Sequence, residues 1–431
     1  MFRSILLFFL RVLSKKIIKK YHPDVIGITG SIGKTSTKEA VALILGQRFR
    51  VRSNFKNYNN EIGLPLTIIG VDRSPGKNIF GWLEVFMQGL GLLCKKDQNY
   101  PEMLVLEMGA DKPGDIAYLT DIAPCKVGVL TYISHAHTEY FKTIKKIAQE
   151  KRVIISHLTV DGFAVLNFDN ELVMENANKT KAEVLTYGFK NGADFQATDV
   201  NILTDEKTGW PSGLNFKVLH KGSIVPVFLP GQMAEHLIPS ALAGIAVGSI
   251  FGVNLVESAD ALRKLHTLPG HMRLIVGIKD TLIIDDTYNS SPDPTKSALE
   301  TLGKIQLRPG AERYAVLGDM LELGAETENL HREIGFKVQE TGIDFLITVG
   351  EASKHTAAAA REAGLGEHNI ASFADSVSAG KFLQEKLKEG DAVLVKGSQG
   401  CRMEKIVKEV MAEPLQAKEL LVRQTGKWEN R

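Results

Sequence analysis

Residues 29–37 read Thr-Gly-Ser-Ile-Gly-Lys-Thr-Ser-Thr, and they carry the most specific chemistry in the sequence. An apolar run, Val25 to Ile28, precedes them, and an apolar-periodic stretch, Ala40 to Leu45, follows. A strand, a glycine-rich turn closing in Gly-Lys-Thr and a helix make a cradle for nucleotide phosphates. The bare glycines let backbone N–H groups approach phosphate oxygens. The helix N-terminus adds partial positive charge. Gly30, Ser31, Gly33 and Ser36 then line the phosphates, Lys34 reaches the β- and γ-phosphates, and the Thr35 hydroxyl holds Mg²⁺. The chemistry calls for ATP or GTP. Position 28 is Ile, and the glycines fall at 27, 30 and 33, so the spacing departs from the strict G-x-x-x-x-G-K-[ST] pattern.

Other chemistry-bearing residues cluster at the ends of apolar runs. Leu104-Val105-Leu106 ends in Glu107, a common place for a Mg²⁺ ligand beside a phosphate loop. Ser134-His135-Ala136-His137-Thr138-Glu139 follows another apolar run. Its two histidines cannot share one helix face, but from a loop one can reach inward. Asn59-Asn60-Glu61-Ile62-Gly63-Leu64-Pro65 reads first as a loop on composition. Asp285-Asp286-Thr287-Tyr288-Asn289, Leu317 to Gly324 and Val395-Lys396-Gly397-Ser398 each close a later apolar run with polar groups. Each alone is ordinary loop polarity; together they form a second ligand-facing rim.

The elements that must position these groups alternate strand and helix. Val25–Ile28, Met103–Glu107, Val127–Tyr132 and Phe163–Asn167 read as strands, and Ile144 to Leu158 as a helix. That alternation predicts a parallel sheet with crossover helices. Residues 184–230 change to two-residue alternation, with a turn at His220-Lys221-Gly222-Ser223, and read as a small antiparallel β insertion. Residues 234–265 read as helical. After Thr267-Leu268-Pro269-Gly270 a second series begins, with strands at Leu282–Asp285, Tyr314–Leu317, Phe345–Val349 and Ala392–Val395. The fold class is therefore α/β: a central phosphate-loop parallel-sheet domain at 23–266, then a Rossmann-like α/β domain at 267–412. A segment at 1–22 precedes them and a polar tail at 413–431 follows. In open parallel sheets, ligands bind beyond the carboxyl ends of the strands, where these clusters fall.

Composition is that of an ordinary globular chain: 431 residues, 44% hydrophobic and 24% charged. A net charge of +2 gives no reason to expect nucleic acid. Cys94, Cys125 and Cys401 are far apart, lack metal-ligand spacing, and fit reduced thiols in a cytoplasmic protein. Residues 2–20 differ from the rest. Leu6, Phe9, Leu10, Leu13 and Ile17 fall at helical spacing among Arg3, Arg11, Lys15, Lys16, Lys19 and Lys20, with no acid before Asp24. The uninterrupted run Ile5–Leu10 is too short to span a bilayer. Two readings stay open: a basic amphipathic helix on the inner face of the plasma membrane, or a helix packed on the protein's own surface. Ile79 to Leu93 is either a buried helix or an extension of the same patch.

In their order and wording these motifs resemble the ATP-dependent Mur ligases, and among them the branch that adds D-alanyl-D-alanine to UDP-N-acetylmuramoyl-tripeptide. The resemblance rests on Thr29–Thr35, Asn59–Pro65, Asp285–Asn289, Leu317–Gly324 and Val395–Ser398. It implies ATP and Mg²⁺, with Thr35, Glu107, His137 and Lys151 around the metal. Lys151, on residues alone a solvated helix lysine, falls where the family carries a lysine that is often carbamylated. Lys34, Lys151 and His137 are then the catalytic set, and His271, Arg273, Tyr288 and Asn289 meet the nucleotide. The implied substrates are ATP, an acyl-acceptor peptide precursor and D-Ala-D-Ala. The implied chemistry is acyl-phosphate formation followed by amine attack, with domain closure excluding water.

Three departures accompany the resemblance. The phosphate-loop strand begins near residue 25, so the family's N-terminal domain for the UDP-linked substrate is expected to be missing. His236-Leu237-Ile238-Pro239-Ser240 stands where the family has His-Asn-x-x-Asn. Gln399 stands where Arg is common. The alternatives are a Mur-like amide ligase for another carboxylate, a polymer or cofactor precursor, or an ATP-binding scaffold without catalysis.

Overall fold

In a computed structural model, which describes residues 2–54, 58–134, 143–205, 209–265 and 269–424, the chain divides into two compact units. The first comprises Met1–Asn201, Asn215–Leu229 and Glu235–Leu265; the second comprises Ile202–Leu214, Pro230–Ala234 and His266–Arg431. The expected boundary at 266/267 lies outside the described residues.

A nine-stranded sheet in the order β2-β3-β1-β4-β5-β6-β7-β8-β9 organises the first unit. Its strands are β1 (Asp24–Thr29), β2 (Val51–Ser53), β3 (Met103–Glu107), β4 (Val127–Leu130), β5 (Phe163–Asn167), β6 (Glu183–Gly188), β7 (Phe195–Thr204), β8 (Pro211–His220) and β9 (Ser223–Pro230). β1 sits between β3 and β4 and is parallel to both, with Ile28 opposite Glu107 and Thr29 opposite Leu130. All five residues of β3 and all four of β4 are buried. Burial on both faces is why these strands read as continuous apolar runs rather than alternating ones. β6 corrects the expected boundary of the insertion: it pairs in parallel with β5 and so belongs to the crossover sheet. β8 and β9 are neighbours joined by Lys221 and Gly222, a connection only antiparallel strands can use.

Helices cover this sheet. Along one face run α1 (Phe2–Tyr21), α3 (Gly63–Ile69), α4 (Ile79–Cys94), α5 (Asp115–Ile122) and α6 (Ile144–Ser156), sharing a core with Leu104 and Leu106. α2 (Lys34–Leu45) packs against α7 (Ile238–Ile250). Here the small-residue stretch of α7 has its physical reason. A Cβ on Gly244 would lie 3.0 Å from the Ala40 methyl, and one on Gly248 only 2.6 Å from Ile44. Small side chains let the two helices close up.

α1 settles one of the open readings for half of its surface. Leu6, Leu10, Leu13 and Ile17 are buried in the unit's own core, while Ile5, Phe8 and Phe9 are exposed.

The second unit is a six-stranded sheet in the order β10-β11-β15-β12-β13-β14. The strands are Arg273–Val276, Leu282–Asp286, Arg313–Gly318, Phe345–Val349, Ile370–Phe373 and Ala392–Lys396 for β10 to β15. β10 is antiparallel to β11; every other pairing is parallel. Within the segment read as a polar tail, Ala417 and Leu421 are buried in this unit's core.

Ile17 is fully buried. Ile17→Ala is expected to cost about 2–5 kcal/mol, read from denaturant midpoints. A cost below about 0.5 kcal/mol, the range of surface substitutions, would separate α1 from the core.

Candidate functional site

The turn after β1 folds as its glycines require. Gly33 caps α2 with φ 81°, a left-handed conformation that costs an L-residue about 1–2 kcal/mol. Gly30 leaves no room for a side chain: a Cβ there would lie 1.9 Å from Thr131 Oγ1 and 3.0 Å from the Tyr132 nitrogen. The strand end beside it staples the loop. Thr131 Oγ1 donates to the Ile32 carbonyl at 2.6 Å, Ser31 N–H donates to the Tyr132 carbonyl at 2.6 Å, and the Ser134 N–H donates to Ser31 Oγ at 3.1 Å. Ser36 is partly buried in the first turn of α2.

Two lysines converge on this loop. Lys34 Nζ donates to the Gly30 carbonyl at 2.9 Å and to the Ser31 carbonyl at 3.3 Å. Lys151, from α6, donates to the same Gly30 carbonyl at 2.9 Å. It is 4% exposed, which overturns the solvated-helix reading that its own sequence context supports. Burial lowers the Lys34 pKa, against the pull of Glu107 and Asp111. Burial first, then the Lys34 charge, brings Lys151 down to about 7, with Glu150 and Asp111 opposing. Lys151 is therefore an amine that loses its proton near neutrality.

Glu107, at the end of β3, is 3% exposed. Thr35 Oγ1 donates to its Oε2 and Asn59 Nδ2 to its Oε1, both at 2.9 Å. Its own N–H donates to the Asn54 side-chain oxygen, and the Asn54 backbone carbonyl accepts from the buried Lys38 at 2.8 Å. Asn60 plays a structural part, since its Oδ1 accepts from the N–H groups of Ile62 and Gly63 and starts α3. Glu150, also buried, accepts from the N–H groups of Gly114 and Ile116 at 2.8 Å each and fixes the first turn of α5.

These groups open on a pocket of about 250 Å³ whose walls include Lys34, Asn59, Asp111, Asp115, Tyr118 and Lys151. Asp111 and Tyr118 escaped the sequence reading, and so did the part played by Glu150. Asp111 follows the strand-end Glu107 on the same loop, the one signal that pointed to it. Ser240, where the family pattern has an amide, is buried; it accepts a hydrogen bond from Thr37 Oγ1 at 3.2 Å and lies against Gly33. His137, expected among the metal ligands, lies outside the described residues.

In the second unit the expected rim assembles around a buried ion pair. Lys396 Nζ lies 2.6 Å from Asp286 and donates to the Asn289 carbonyl at 3.0 Å. Asp285 is fully buried; burial raises its carboxyl to about 6, against the hydrogen bonds from Thr287 and Gly270. The His271 ring stacks on Tyr288 at 4.4 Å. Arg423 donates to the Thr287 and Tyr288 carbonyls. Arg273 donates to the Glu419 carbonyl at 3.3 Å, a contact across 146 residues that the sequence did not indicate.

Comparison with known proteins decides the family. The Mur ligase middle domain matches residues 28–248, and the Mur ligase, glutamate ligase domain matches residues 271–399. The chain belongs to the Mur ligase family. It is 30% identical over 410 residues to the UDP-N-acetylmuramoyl-tripeptide--D-alanyl-D-alanine ligase of Bacillus subtilis, covering 94% of this chain and 80% of that one. The ligase of the same name from Escherichia coli is 30% identical over 388 residues, covering 89% of this chain and 76% of that one. Among solved structures, the MurF ligase of Thermotoga maritima in complex with ADP superposes with a TM-score of 0.74 at 27% identity, covering 96% of this chain and 84% of that one. Lys34, Glu107 and Lys151 of this Mur ligase lie within the matched middle domain.

The buried Lys151 makes stability depend on pH. The unfolded chain keeps that proton to about 10.5, whereas the folded one releases it near 7. Folding therefore releases a proton between these values, and stability rises with pH across the window. Urea midpoints should climb from pH 7 to pH 10 less steeply in Lys151→Met than in the parent; equal slopes would contradict the lowered pKa.

Proposed function

We propose that this Mur ligase joins D-alanyl-D-alanine to the tripeptide carboxylate of UDP-N-acetylmuramoyl-tripeptide at the expense of ATP, a cytoplasmic step in peptidoglycan precursor synthesis. One observation carries the reading: Lys34 and Lys151 converge on the Gly30 carbonyl beside the Thr35–Glu107 pair. The relatives named for that ligase support the choice of substrates.

The chemistry gives each group its role. A carboxylate oxygen of the acceptor attacks the γ-phosphorus of ATP; the bond to the bridging oxygen breaks and ADP leaves. The amine of the dipeptide then attacks the acyl carbon and loses a proton; the bond from that carbon to the oxygen bridging it to phosphorus breaks, and phosphate departs with that oxygen. Both steps concentrate negative charge, which preorganised cations stabilise. Lys34, the loop N–H groups around Gly30, Ser31 and Gly33, and the N-terminus of α2 supply that field. The walls of the pocket hold the carboxylate in line and shield the acyl phosphate from water.

Mg²⁺ fits the donor set. A hydroxyl and a carboxylate side by side at a phosphate loop offer two hard oxygen ligands, and Mg²⁺ takes the rest from water and phosphates. Thr35 and Glu107 would hold it, and Asn59 orients the carboxylate. When bound, the ion neutralises charge on the β- and γ-phosphates. Lys151 suits a second role. Near neutrality its free amine can attack CO₂, forming an N–C bond and releasing a proton, to leave an anionic carbamate. That oxygen, with His137, would hold a second Mg²⁺. His271, Arg273, Tyr288 and Asn289 carry the nucleotide contacts of the second unit in this proposal. α1 gives the enzyme a peripheral contact with the inner leaflet through Ile5, Phe8 and Phe9.

Phosphate release with ATP, D-Ala-D-Ala and UDP-N-acetylmuramoyl-tripeptide tests the assignment. Lys34→Ala should lower turnover by at least about a thousand-fold, the loss of one strong electrostatic stabiliser, with an unchanged circular dichroism spectrum. Release only with another acid would redirect the substrate, and normal turnover by the variant would remove the phosphate loop from the mechanism. Added bicarbonate should raise the activity of enzyme depleted of CO₂ at pH 8 more than at pH 6, because only the neutral Lys151 amine reacts. An equal response at both pH values would discard the carbamate.

A further inference from the structure

Helices α1 and α4 lie against each other. Phe9 meets Phe86 edge-on with ring centroids 6.3 Å apart, and Leu13 packs where a Cβ on Gly89 would stand, 2.4 Å away. Lys20 Nζ donates to the Leu92 and Leu93 carbonyls at 2.8 Å each, closing the C-terminal turn of α4. With these inner faces taken, the pair presents an outer face of large apolar side chains. Phe80 is 79% exposed, Ile79 69% and Phe8 60%; Ile5, Phe9, Leu83, Met87 and Leu90 are each at least half exposed. An apolar patch of this extent marks an interaction surface.

Its charged margin selects the occupant. α1 carries no acid and α4 carries one, Glu84, while Lys77 precedes α4 and Lys95 and Lys96 follow it. Among the described residues, Lys16, Lys19, Lys77, Lys95 and Lys96 have no carboxylate partner. Apolar side chains ringed by exposed ammonium groups fit an anionic bilayer, with rings among acyl chains and lysines reaching lipid phosphates. A two-fold contact with a second copy would set this cationic margin against itself. Among the described residues no helix is long and apolar enough to cross a membrane, so the face would lie on the bilayer.

A groove of about 470 Å³ begins at this face. Ser4, Leu7, Phe8 and Arg11 form one side of it, and Lys112 and Tyr118 contribute to the other. Phe8 belongs to both the groove and the exposed face. Glu61, Asp115 and Tyr118 wall both the groove and the pocket of Lys34 and Lys151. The Arg11 guanidinium stands 5.5 Å from the centre of the Tyr118 ring, at that shared wall.

We propose that the α1–α4 face rests on an anionic lipid bilayer, and that the groove along α1 admits an acceptor anchored in that bilayer, its polar head passing Arg11 and Lys112 on the way to the two lysines. The second half rests on the ligase assignment; the first stands without it.

Flotation of the full chain with vesicles decides the first half. Vesicles with about a third phosphatidylglycerol should recover at least about ten-fold more protein than phosphatidylcholine alone, and salt should reduce that recovery. The triple variant Phe80→Ser, Leu83→Ser, Met87→Ser should lose the binding while keeping its melting temperature and its turnover of a soluble acceptor. Equal recovery on both vesicles, undiminished binding by the variant, or a variant that instead lowers the mass seen by sedimentation velocity would overturn it. The last result would mean that a second copy covers the face.

For the groove, the same tripeptide carboxylate is supplied free or on a prenyl diphosphate in anionic vesicles. The anchored form should show a kcat/KM at least about ten-fold higher, an advantage the triple variant abolishes. Equal use of both forms, with ligation still dependent on Lys34, would overturn the groove and leave the ligase assignment intact. Absence of Lys34-dependent ligation with either form would defeat that assignment and the groove with it, leaving flotation to judge the face.

Discussion

A single carbonyl oxygen, that of Gly30, accepts hydrogen bonds from two lysines. Much of the first unit can be understood as the means of keeping those two cations together. Like charges repel, and burial penalises each of them; both effects press Lys151 toward the neutral amine. A loop carbonyl held by β4 and by Thr131 gives the amines an acceptor that no side chain provides. It leaves the anionic partner to be a ligand. Two of the nearby carboxylates are engaged elsewhere, Glu107 with Thr35 and Asn59 and Glu150 with the start of α5, while Asp111 acts on both lysines through its charge. An enzyme that handles a nucleotide and an acyl phosphate needs such amines in place before its substrates arrive.

The parallel sheet supplies the positions. β1 and β3 run side by side with Ile28 opposite Glu107, so the loop after one strand and the carboxylate ending the other meet at the same edge. This much was legible from residue order, because buried parallel strands are written as apolar runs with a polar group at the exit. Met103–Glu107, Phe163–Asn167 and Phe345–Val349 occupy the residues their sequences predict. Periodicity also foresaw the apolar stripe of α1, but a stripe does not reveal what covers each side of a helix.

Other features depend on contacts distant in the chain, and those were not legible. Lys151 looks solvated beside Lys145, Lys146 and Arg152; only its 121-residue reach to Gly30 makes it a buried amine. Asn59 sits in a stretch that composition calls a loop, and its value lies in a bond to a carboxylate 48 residues away. The residues of β6 fall in the stretch that reads as an antiparallel insertion, yet they pair in parallel with β5 on one side and with β7 on the other. Alternation reports one buried face and is silent about which strand lies alongside. Family resemblance supplied Lys151 where physical pattern could not, because it carries the record of the fold.

The long N-terminal helix has a consequence during synthesis. Its buried side chains Leu10, Leu13 and Ile17 share a core with Leu64, Trp82, Leu104 and Leu119, all of which leave the ribosome later. Until those residues are translated, a positively charged helix lacks the core partners that cover its greasy stripe. Translation near a membrane, or a chaperone waiting at the tunnel exit, would shelter that stripe from aggregation until the sheet can claim it.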